Sequence, residues 1–185
     1  AHHHKYSYQS DVDPDRKKFS MIIRSSNGSG KTLCYLIPIL NSIRPGIQVS
    51  RDKTLPNGKT LKNEVFMPQA IILVMTAMLM QQIEEELVKL QVQVERSGVK
   101  HEKVNFTIGR MDREGHRPGD IVLAMPKSFA NRHANKNVKL DNCAFIAIDE
   151  VDEIYEQGQQ ELENILQICE EAPNLKLIVC SATMK

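Results

Sequence analysis

The sequence lacks the features that mark secreted, metal-binding and membrane-spanning proteins. Its cysteines stand singly in apolar surroundings, with no Cys-x-x-Cys pair and no histidine spaced to complete a metal site. We expect all of them to be small core residues in a reducing compartment: Cys34, Cys143, Cys169 and Cys180. No apolar run approaches the roughly 20 residues that span a bilayer, and no secretory signal opens the chain. We therefore expect a soluble intracellular protein, cytoplasmic or nuclear, with no membrane partner.

The chain also lacks an excess of either charge. Its 24 basic and 23 acidic residues leave a formal charge of +1, so any surface that binds nucleic acid must be local. The 185 residues, 41% of them hydrophobic, suit one full core, and we predict one domain. The start, Ala1-His2-His3-His4, resembles the remnant of an affinity tag, which leaves residues 5–185 for a domain excised from a longer protein.

The stretch 25–32, Ser-Ser-Asn-Gly-Ser-Gly-Lys-Thr, lies between the apolar run Met21-Ile22-Ile23 and a helix-like run from Leu33 to Leu40. A strand, a glycine-broken turn and a helix in this order can form a phosphate cradle, because backbone N–H groups and the helix N-terminus bind anions. A lysine at the helix start reaches the terminal phosphates, and the next hydroxyl can hold Mg²⁺. We predict nucleotide contacts at Ser26, Asn27, Gly28, Ser29, Gly30, Lys31 and Thr32. The strict pattern has glycine where this chain has Ser25, and the alternative is a Gly/Ser surface turn followed by a chance Lys-Thr.

Apolar runs alternate with helical patterns along the chain. We predict strands over 20–24, 70–74, 104–108, 120–124, 143–148 and 175–180. We predict helices over 31–43 with a kink at Pro38, over 79–94, in a short stretch after Pro126, and on both sides of a break at Gly158. This alternation indicates an α/β fold with a mainly parallel sheet and helices on both faces. We interpret residues 44–68 as a surface insertion that can turn as a hairpin at Asn57-Gly58, and 109–119 as a loop.

Asp149 and Glu150 directly follow the most hydrophobic predicted strand. In such sheets, ligands bind at the carboxyl ends of the strands. A carboxylate at this position can hold the Mg²⁺ of a bound nucleotide, while its neighbour orients or deprotonates an attacking water. The alternative is a helix start whose acidic residues favour the helix dipole. Together with the loop at 25–32, the pair predicts one catalytic site that contains Lys31, Asp149 and Glu150.

Three segments resemble motifs I, II and III of the DEAD-box RNA helicases, in the family's order: Ser25 to Thr32, Asp149-Glu150-Val151-Asp152 and Ser181-Ala182-Thr183. The resemblance runs from Ser20 to Thr183 and implies the first of two RecA-like lobes of an RNA-stimulated ATPase that binds ATP and Mg²⁺. It implies that Thr32 and, through water, Asp149 bind Mg²⁺ and that Glu150 activates the water. It also implies that Asp152 contacts Ser181 and Thr183, which would couple the nucleotide state to RNA unwinding. Shorter segments at 20–23, 68–71 and 157–158 resemble the mRNA-export branch of the family.

The chain departs from the family where the family grips RNA. Met75-Thr76-Ala77-Met78-Leu79 lacks the family's arginine, and with it a helix start, while Met125-Pro126-Lys127-Ser128 replaces a Thr-Pro-Gly-Arg segment. The family's double glycine is reduced to Gly109-Arg110, and Val151 replaces an alanine, which we expect to be tolerated. The resemblance implies RNA contacts at Thr76, Gly109, Arg110, Pro126 and Lys127, with Arg110 or Lys127 as point charges. Gln9, after Tyr8, lies near the distance at which the family reads adenine and is assigned to adenine; otherwise it is a tail residue.

Two functions follow from this pattern. The first is a helicase lobe that binds ATP–Mg²⁺ and RNA. It hydrolyses ATP together with a missing second lobe, which supplies the arginine fingers that the reaction needs. Alone, this lobe is nearly inactive. The second is a helicase-derived interaction protein, in which nucleotide binding survives as a conformational switch for regulatory protein partners, with weak or no unwinding. A small-molecule kinase would share the loop at 25–32 but would not explain residues 149–152 and 181–183.

Overall fold

The structure is a computed structural model of the chain, and it describes residues 20–26, 28–44, 46–96, 106–112, 116–172 and 174–182. The strands are β1 (Ser20–Arg24), β2 (Ser50–Thr54), β3 (Thr60–Phe66), β4 (Ala70–Leu73), β5 (Ile108–Met111), β6 (His116–Arg117), β7 (Ile121–Ala124), β8 (Phe145–Ile148) and β9 (Lys176–Ser181). The helices are α1 (Lys31–Ser42), α2 (Ala77–Arg96), α3 (Pro126–Ala134) and α4 (Val151–Glu171).

Within the described residues, seven strands form one sheet in the order β1-β9-β8-β4-β7-β5-β6. All neighbours run parallel except β6, which pairs antiparallel with β5. Parallel neighbours need long crossover connections, which α1, α2, α3 and α4 supply. The predicted α/β fold with a mainly parallel sheet is therefore confirmed.

The central strand β4 has helices on both faces, which explains why every residue in it is apolar. Ala70 and Ile72 belong to a core that contains the buried faces of α1 and α2. Ile71 and Leu73 belong to a second core, built with α3 and α4. Successive side chains of a strand point to opposite faces, so a strand buried on both sides shows no polar alternation.

The region around β5 differs from the prediction. Of the strand predicted at 104–108, residues 104–105 lie outside the described residues. The observed strand β5 covers Ile108–Met111, so it shares only Ile108 with the predicted strand and continues into residues 109–111, which were predicted to be a loop. Gly109 packs against Gly119: a β-carbon added to Gly109 would lie 2.5 Å from the Arg117 carbonyl oxygen and 2.8 Å from the Gly119 nitrogen. The close approach of two backbones therefore requires glycine within a strand.

Residues 44–68 contain an antiparallel hairpin of β2 and β3, with Thr54 opposite Thr60. Gly58 takes φ 80° in the turn, a conformation that favours glycine. The far end of the hairpin is not a surface feature, because Val65 and Phe66 are buried. The Phe66 N–H donates to the Asn137 carbonyl oxygen at 2.8 Å, which joins the hairpin to the segment after α3.

Two further expectations concern single residues. Cys143, Cys169 and Cys180 are buried as predicted, but Cys34 is exposed, so the prediction of a core residue is wrong there. Gly158 has non-helical dihedral angles and kinks α4, which places the predicted break inside one long helix. Within the residues that the structure describes, none of the helices is both long and apolar enough to cross a membrane.

Candidate active site

The loop between β1 and α1 has the backbone that an anion cradle needs. Gly28 and Gly30 take φ 75° and 88°, which side chains other than glycine adopt at a cost. Ser26 and Ser29 are exposed in the same turn, and the Ser29 N–H donates to the Ser26 carbonyl oxygen at 3.4 Å. The helix begins directly afterwards at Lys31, and the N-terminus of a helix favours a negatively charged group. The predicted contact residue Asn27 lies outside the described residues.

Lys31 is buried inside this loop. Its Nζ donates to the Ser25 carbonyl oxygen at 2.6 Å and to the Ser26 carbonyl oxygen at 3.1 Å. Hydrogen bonds from an ammonium group to a charged phosphate oxygen are stronger than bonds to neutral carbonyl oxygens. The loop therefore fits a phosphate group, for which Lys31 would exchange these two acceptors.

Asp149 directly follows β8 at the same edge of the sheet and is buried. Its Oδ1 accepts from the Glu150 N–H at 3.0 Å, and its Oδ2 accepts from the Tyr35 hydroxyl at 2.9 Å. Since Tyr35 lies on α1, this bond joins the helix of the loop to the acidic pair. Sequence reasoning missed Tyr35; the available signal was a tyrosine on the buried face of a helix, whose hydroxyl needs a partner.

The carboxyl groups at this edge hold protons more readily than exposed ones. Burial raises the pKa of Asp149, while the Tyr35 hydroxyl, the Glu150 N–H and the charge of Lys31 act in the opposite direction. Burial also raises the pKa of Glu150, as do the charges of Glu153, Asp149 and Asp152. A raised pKa makes Glu150 a better proton acceptor, and a nearby cation would relieve the repulsion among these carboxylates.

Glu150 has a backbone conformation that is uncommon for its residue type. It takes φ 53° and ψ 49° at the N-cap position of α4. Residues other than glycine in the left-handed region are uncommon and cluster at functional sites. The left-handed backbone conformation therefore indicates a functional position at Glu150, independently of the sequence motif.

The residues at this edge fit a magnesium ion that is bound together with phosphate. Among the described residues, no group of three or more His, Cys, Asp or Glu side chains is placed to hold a metal alone. Mg²⁺ normally needs only one or two protein groups, since phosphates and water complete its shell. Thr32 and Asp149 both hydrogen bond to Tyr35, which brings the two predicted Mg²⁺ contacts to one phenol.

The predicted coupling residues are only partly described. Asp152 lies in the first turn of α4, and Ser181 is buried at the end of β9. The Ser25 N–H donates to the Ser181 carbonyl oxygen at 3.2 Å, so the loop starts beside the end of β9. Thr183, like the adenine candidate Gln9, lies outside the described residues. The contact of Asp152 with Ser181 and Thr183 stays a prediction.

Thr76 has a structural partner where the sequence suggested an RNA contact. Its Oγ1 accepts from the Leu79 N–H at 3.1 Å, which caps the start of α2 at Ala77. The prediction that this segment has lost its helix start is therefore wrong. The helix begins at Ala77, two residues before the predicted start at residue 79, without the family's arginine.

Arg110 and Lys127 differ in their freedom to contact RNA. Arg110 forms ion pairs with Asp112 at 2.8 Å and with Glu84 at 3.6 Å, so it is not the free point charge that was predicted. Lys127 is exposed and lies with Pro126 at the start of α3. Pro126 and Lys127 line a groove of about 500 Å³, whose other walls include Met75, Met125, Ile154 and Gly158.

Comparisons with known proteins agree with this geometry. A sequence model of the DEAD/DEAH box helicase family matches residues 6–185. The chain is 29% identical to the mitochondrial ATP-dependent RNA helicase mrh4 of Aspergillus fumigatus, over 94% of this chain and 31% of that protein. It is 32% identical to the human probable ATP-dependent RNA helicase DDX23, over 77% of this chain and 16% of that protein. It therefore spans about a third or less of these relatives.

A solved structure supports the same fold. The RNA helicase Prp28 from Chaetomium thermophilum, in a crystal structure bound to ADP, matches with a TM-score of 0.64 and 21% identity, over 91% of this chain and 37% of that chain. At this identity the match shows the fold, which is RecA-like. The assignment to the mRNA-export branch stays a prediction.

Proposed function

This chain belongs to the DEAD/DEAH box helicase family and has its RecA-like fold, and on that premise we propose that it is the ATP-binding lobe of an ATP-dependent RNA helicase. It binds ATP with Mg²⁺ and RNA, and it hydrolyses ATP together with a second RecA-like lobe. The observation that carries this proposal is the hydrogen bond of 2.9 Å from the Tyr35 hydroxyl to Asp149, which joins α1, the helix that follows the loop at 25–32, to the acidic pair. RNA-dependent ATP hydrolysis is the activity that the family implies.

The residues divide the chemistry between them. The N–H groups at the start of α1 and the Lys31 ammonium bind the β- and γ-phosphates. Thr32 and Asp149 hold Mg²⁺, which, when bound, neutralises charge that develops on the phosphate oxygens. Glu150 accepts a proton from the attacking water or orients it, and its raised pKa suits it to that role. Asp152 passes the nucleotide state to Ser181 and Thr183.

The first test removes one side chain from the loop. Lys31→Ala should weaken binding of ATP–Mg²⁺ by roughly 10- to 100-fold in calorimetry, because hydrogen bonds to charged groups contribute about 1.5–3 kcal/mol. Lys62→Ala is the matched control, since Lys62 is exposed on the hairpin strand β3, and it should bind as the unmodified chain does. Unchanged nucleotide affinity in Lys31→Ala would show that the site is wrongly assigned.

One observation favours the second candidate, a nucleotide-dependent switch that binds protein partners and has little hold on RNA. Arg110 is held by Asp112 and Glu84, and the Thr76 hydroxyl caps α2, so two of the RNA contacts implied by the resemblance already have partners within the chain.

The affinity for single-stranded RNA, measured at increasing salt concentrations, distinguishes the two candidates. The protein that carries both lobes is saturated with a non-hydrolysable ATP analogue, and affinity is measured against ionic strength. An affinity that falls steeply as salt rises indicates a phosphate grip and supports the helicase. Absence of measurable RNA binding with the analogue bound supports the switch.

The proposal extends to location and partners. An intracellular location suits a protein that acts on RNA, and the mitochondrial relative adds a third compartment to the predicted cytoplasm and nucleus. The proposed partners are RNA, the second lobe and regulatory proteins.

A further inference from the structure

Tyr35 connects two residues of the site but belongs to neither motif. Its side chain is fully buried on α1, within the core layer that also contains Leu36 and Ile39. Its hydroxyl donates to Asp149 Oδ2 at 2.9 Å, across 114 residues of sequence. It also shares a side-chain hydrogen bond with Thr32, one turn earlier on the same helix.

The hydroxyl is not needed for packing. A phenylalanine would fill the same apolar layer, and a buried hydroxyl costs free energy unless it is hydrogen-bonded. Here the partners are the carboxylate and the hydroxyl to which the proposed function assigns Mg²⁺. The placement of the phenol therefore serves the site and not the core.

We propose that Tyr35 is a positioning residue that holds Asp149 and Thr32 in the arrangement needed for nucleotide-bound Mg²⁺. This inference rests on the proposed function. Asp149 accepts one hydrogen bond at each oxygen, from Tyr35 at 2.9 Å and from the Glu150 N–H at 3.0 Å, which fixes the plane of the carboxylate. Each carboxylate oxygen can accept a further bond, which leaves a place for water bound to Mg²⁺.

The phenol acts on the carboxylate as a hydrogen-bond donor. Residues that orient metal-binding groups through such hydrogen bonds typically change metal affinity 10- to 100-fold when they are removed.

The test is Tyr35→Phe, which keeps the ring and removes the hydroxyl. Calorimetry measures ADP binding in excess Mg²⁺ and again in EDTA. We expect the gain in affinity that Mg²⁺ confers to fall roughly tenfold, with binding in EDTA unchanged. Tyr155→Phe is the matched control, because Tyr155 is exposed on α4, and it should alter neither measurement.

A double-mutant cycle asks whether Tyr35 acts through Asp149. Asp149→Asn should itself remove most of the gain that Mg²⁺ confers, and adding Tyr35→Phe should then cause little further loss. The inference is overturned if Tyr35→Phe keeps the whole gain in ADP affinity that Mg²⁺ confers, or if it loses affinity equally in Mg²⁺ and in EDTA. Either result leaves the nucleotide site standing. An unmodified chain that binds no nucleotide would overturn both.

A measurement without mutation guards against a variant that fails to fold. In the chain with carbon-13-labelled tyrosine, Mn²⁺–ADP should broaden the ring signals of Tyr35 strongly, because paramagnetic broadening falls steeply with distance. The signals of Tyr155 give the internal reference. Tyr35 signals that stay sharp when Mn²⁺–ADP is saturating would place the metal elsewhere and overturn the inference.

Discussion

Asp149 is a charged residue in a position that favours its neutral form. Burial raises its pKa in the folded chain, so the folded state holds the proton more tightly than the unfolded state does. The stability that this proton confers is present at low pH. It is lost as pH rises from the ordinary carboxyl pKa through the raised one, since the unfolded chain releases the proton first.

We therefore expect Asp149→Asn to stabilise the chain at neutral pH while it weakens Mg²⁺ binding. The gain in the free energy of unfolding should be roughly 0.5–2 kcal/mol near pH 7, a common range for stabilising substitutions. It should shrink as pH falls through the raised pKa towards the ordinary value of 3.8, in urea unfolding measured at a series of pH values. Asp141→Asn, at an exposed aspartate, is the control. A loss of stability that is the same at every pH would contradict this account.

The sequence predicted the residues whose chemistry depends on local spacing. Lys31 and Thr32 could be proposed because a strand, glycines and a helix must follow each other for a phosphate loop to form. Asp149 could be proposed because it directly follows an apolar strand. Tyr35 could not, since it fits the apolar face of α1 and its partner lies 114 residues away. The ion pair of Arg110 with Glu84 was hidden for the same reason, because Glu84 meets Arg110 only once α2 has packed on the sheet.

At the scale of elements, a buried cation on α3, Arg132, contacts the hairpin of β2 and β3. Arg132 is 9% exposed, and its guanidinium lies 4.5 Å from the centre of the Phe66 ring. Its Nη2 donates to the Glu64 carbonyl oxygen at 2.8 Å. The Asn137 amide donates to Glu64 Oε1 at 2.6 Å, beside the same contact. These contacts of the second strand, together with the bond of Lys53 on β2 to Asn137 Oδ1, pack the hairpin against the domain.

Arg132→Ala should loosen the hairpin before the rest of the fold. Loss of the ring contact and the charged hydrogen bond should lower the free energy of unfolding by about 2 kcal/mol. Hydrogen exchange should rise at the amides of β2 and β3 more than in the central strands. Lys62→Ala, on the exposed side of the hairpin, should change stability by less than about 0.5 kcal/mol. Unaltered protection of the hairpin amides in Arg132→Ala would show that other contacts hold it.

Some of the strands and helices could be predicted from the pattern of apolar residues, and others could not. β1, β4 and β8 follow from continuous apolar runs, and α2 follows from apolar residues at helical spacing. β5 was misplaced because Gly109, which weakens a strand pattern, is required by a tertiary contact with Gly119. The packing of Phe66 was missed because its partners come from the segment after α3, far along the chain.

At the scale of the whole molecule, we expect a second lobe to complete the proposed site with an arginine finger. The residues of the site follow β1, β8 and β9, which are neighbours in the sheet and end at one edge. We expect this chain alone to release phosphate from ATP at least about 10³ times more slowly than the protein that carries both lobes, because an arginine finger contributes that much or more. RNA-stimulated turnover by this chain alone, at a rate close to that of the two-lobe protein, would refute the need for a second lobe.

The central claim is that a nucleotide's phosphates lie against residues 28–32 while its metal faces Asp149. The most direct test is a crystal of this chain grown with a non-hydrolysable ATP analogue and Mn²⁺, whose anomalous scattering identifies the metal. The account predicts a manganese peak between the Thr32 hydroxyl and the Asp149 carboxylate, bridged to the phosphates, with Lys31 turned from the Ser25 carbonyl oxygen to a phosphate oxygen. A nucleotide bound elsewhere, or a metal peak remote from Asp149, would contradict it.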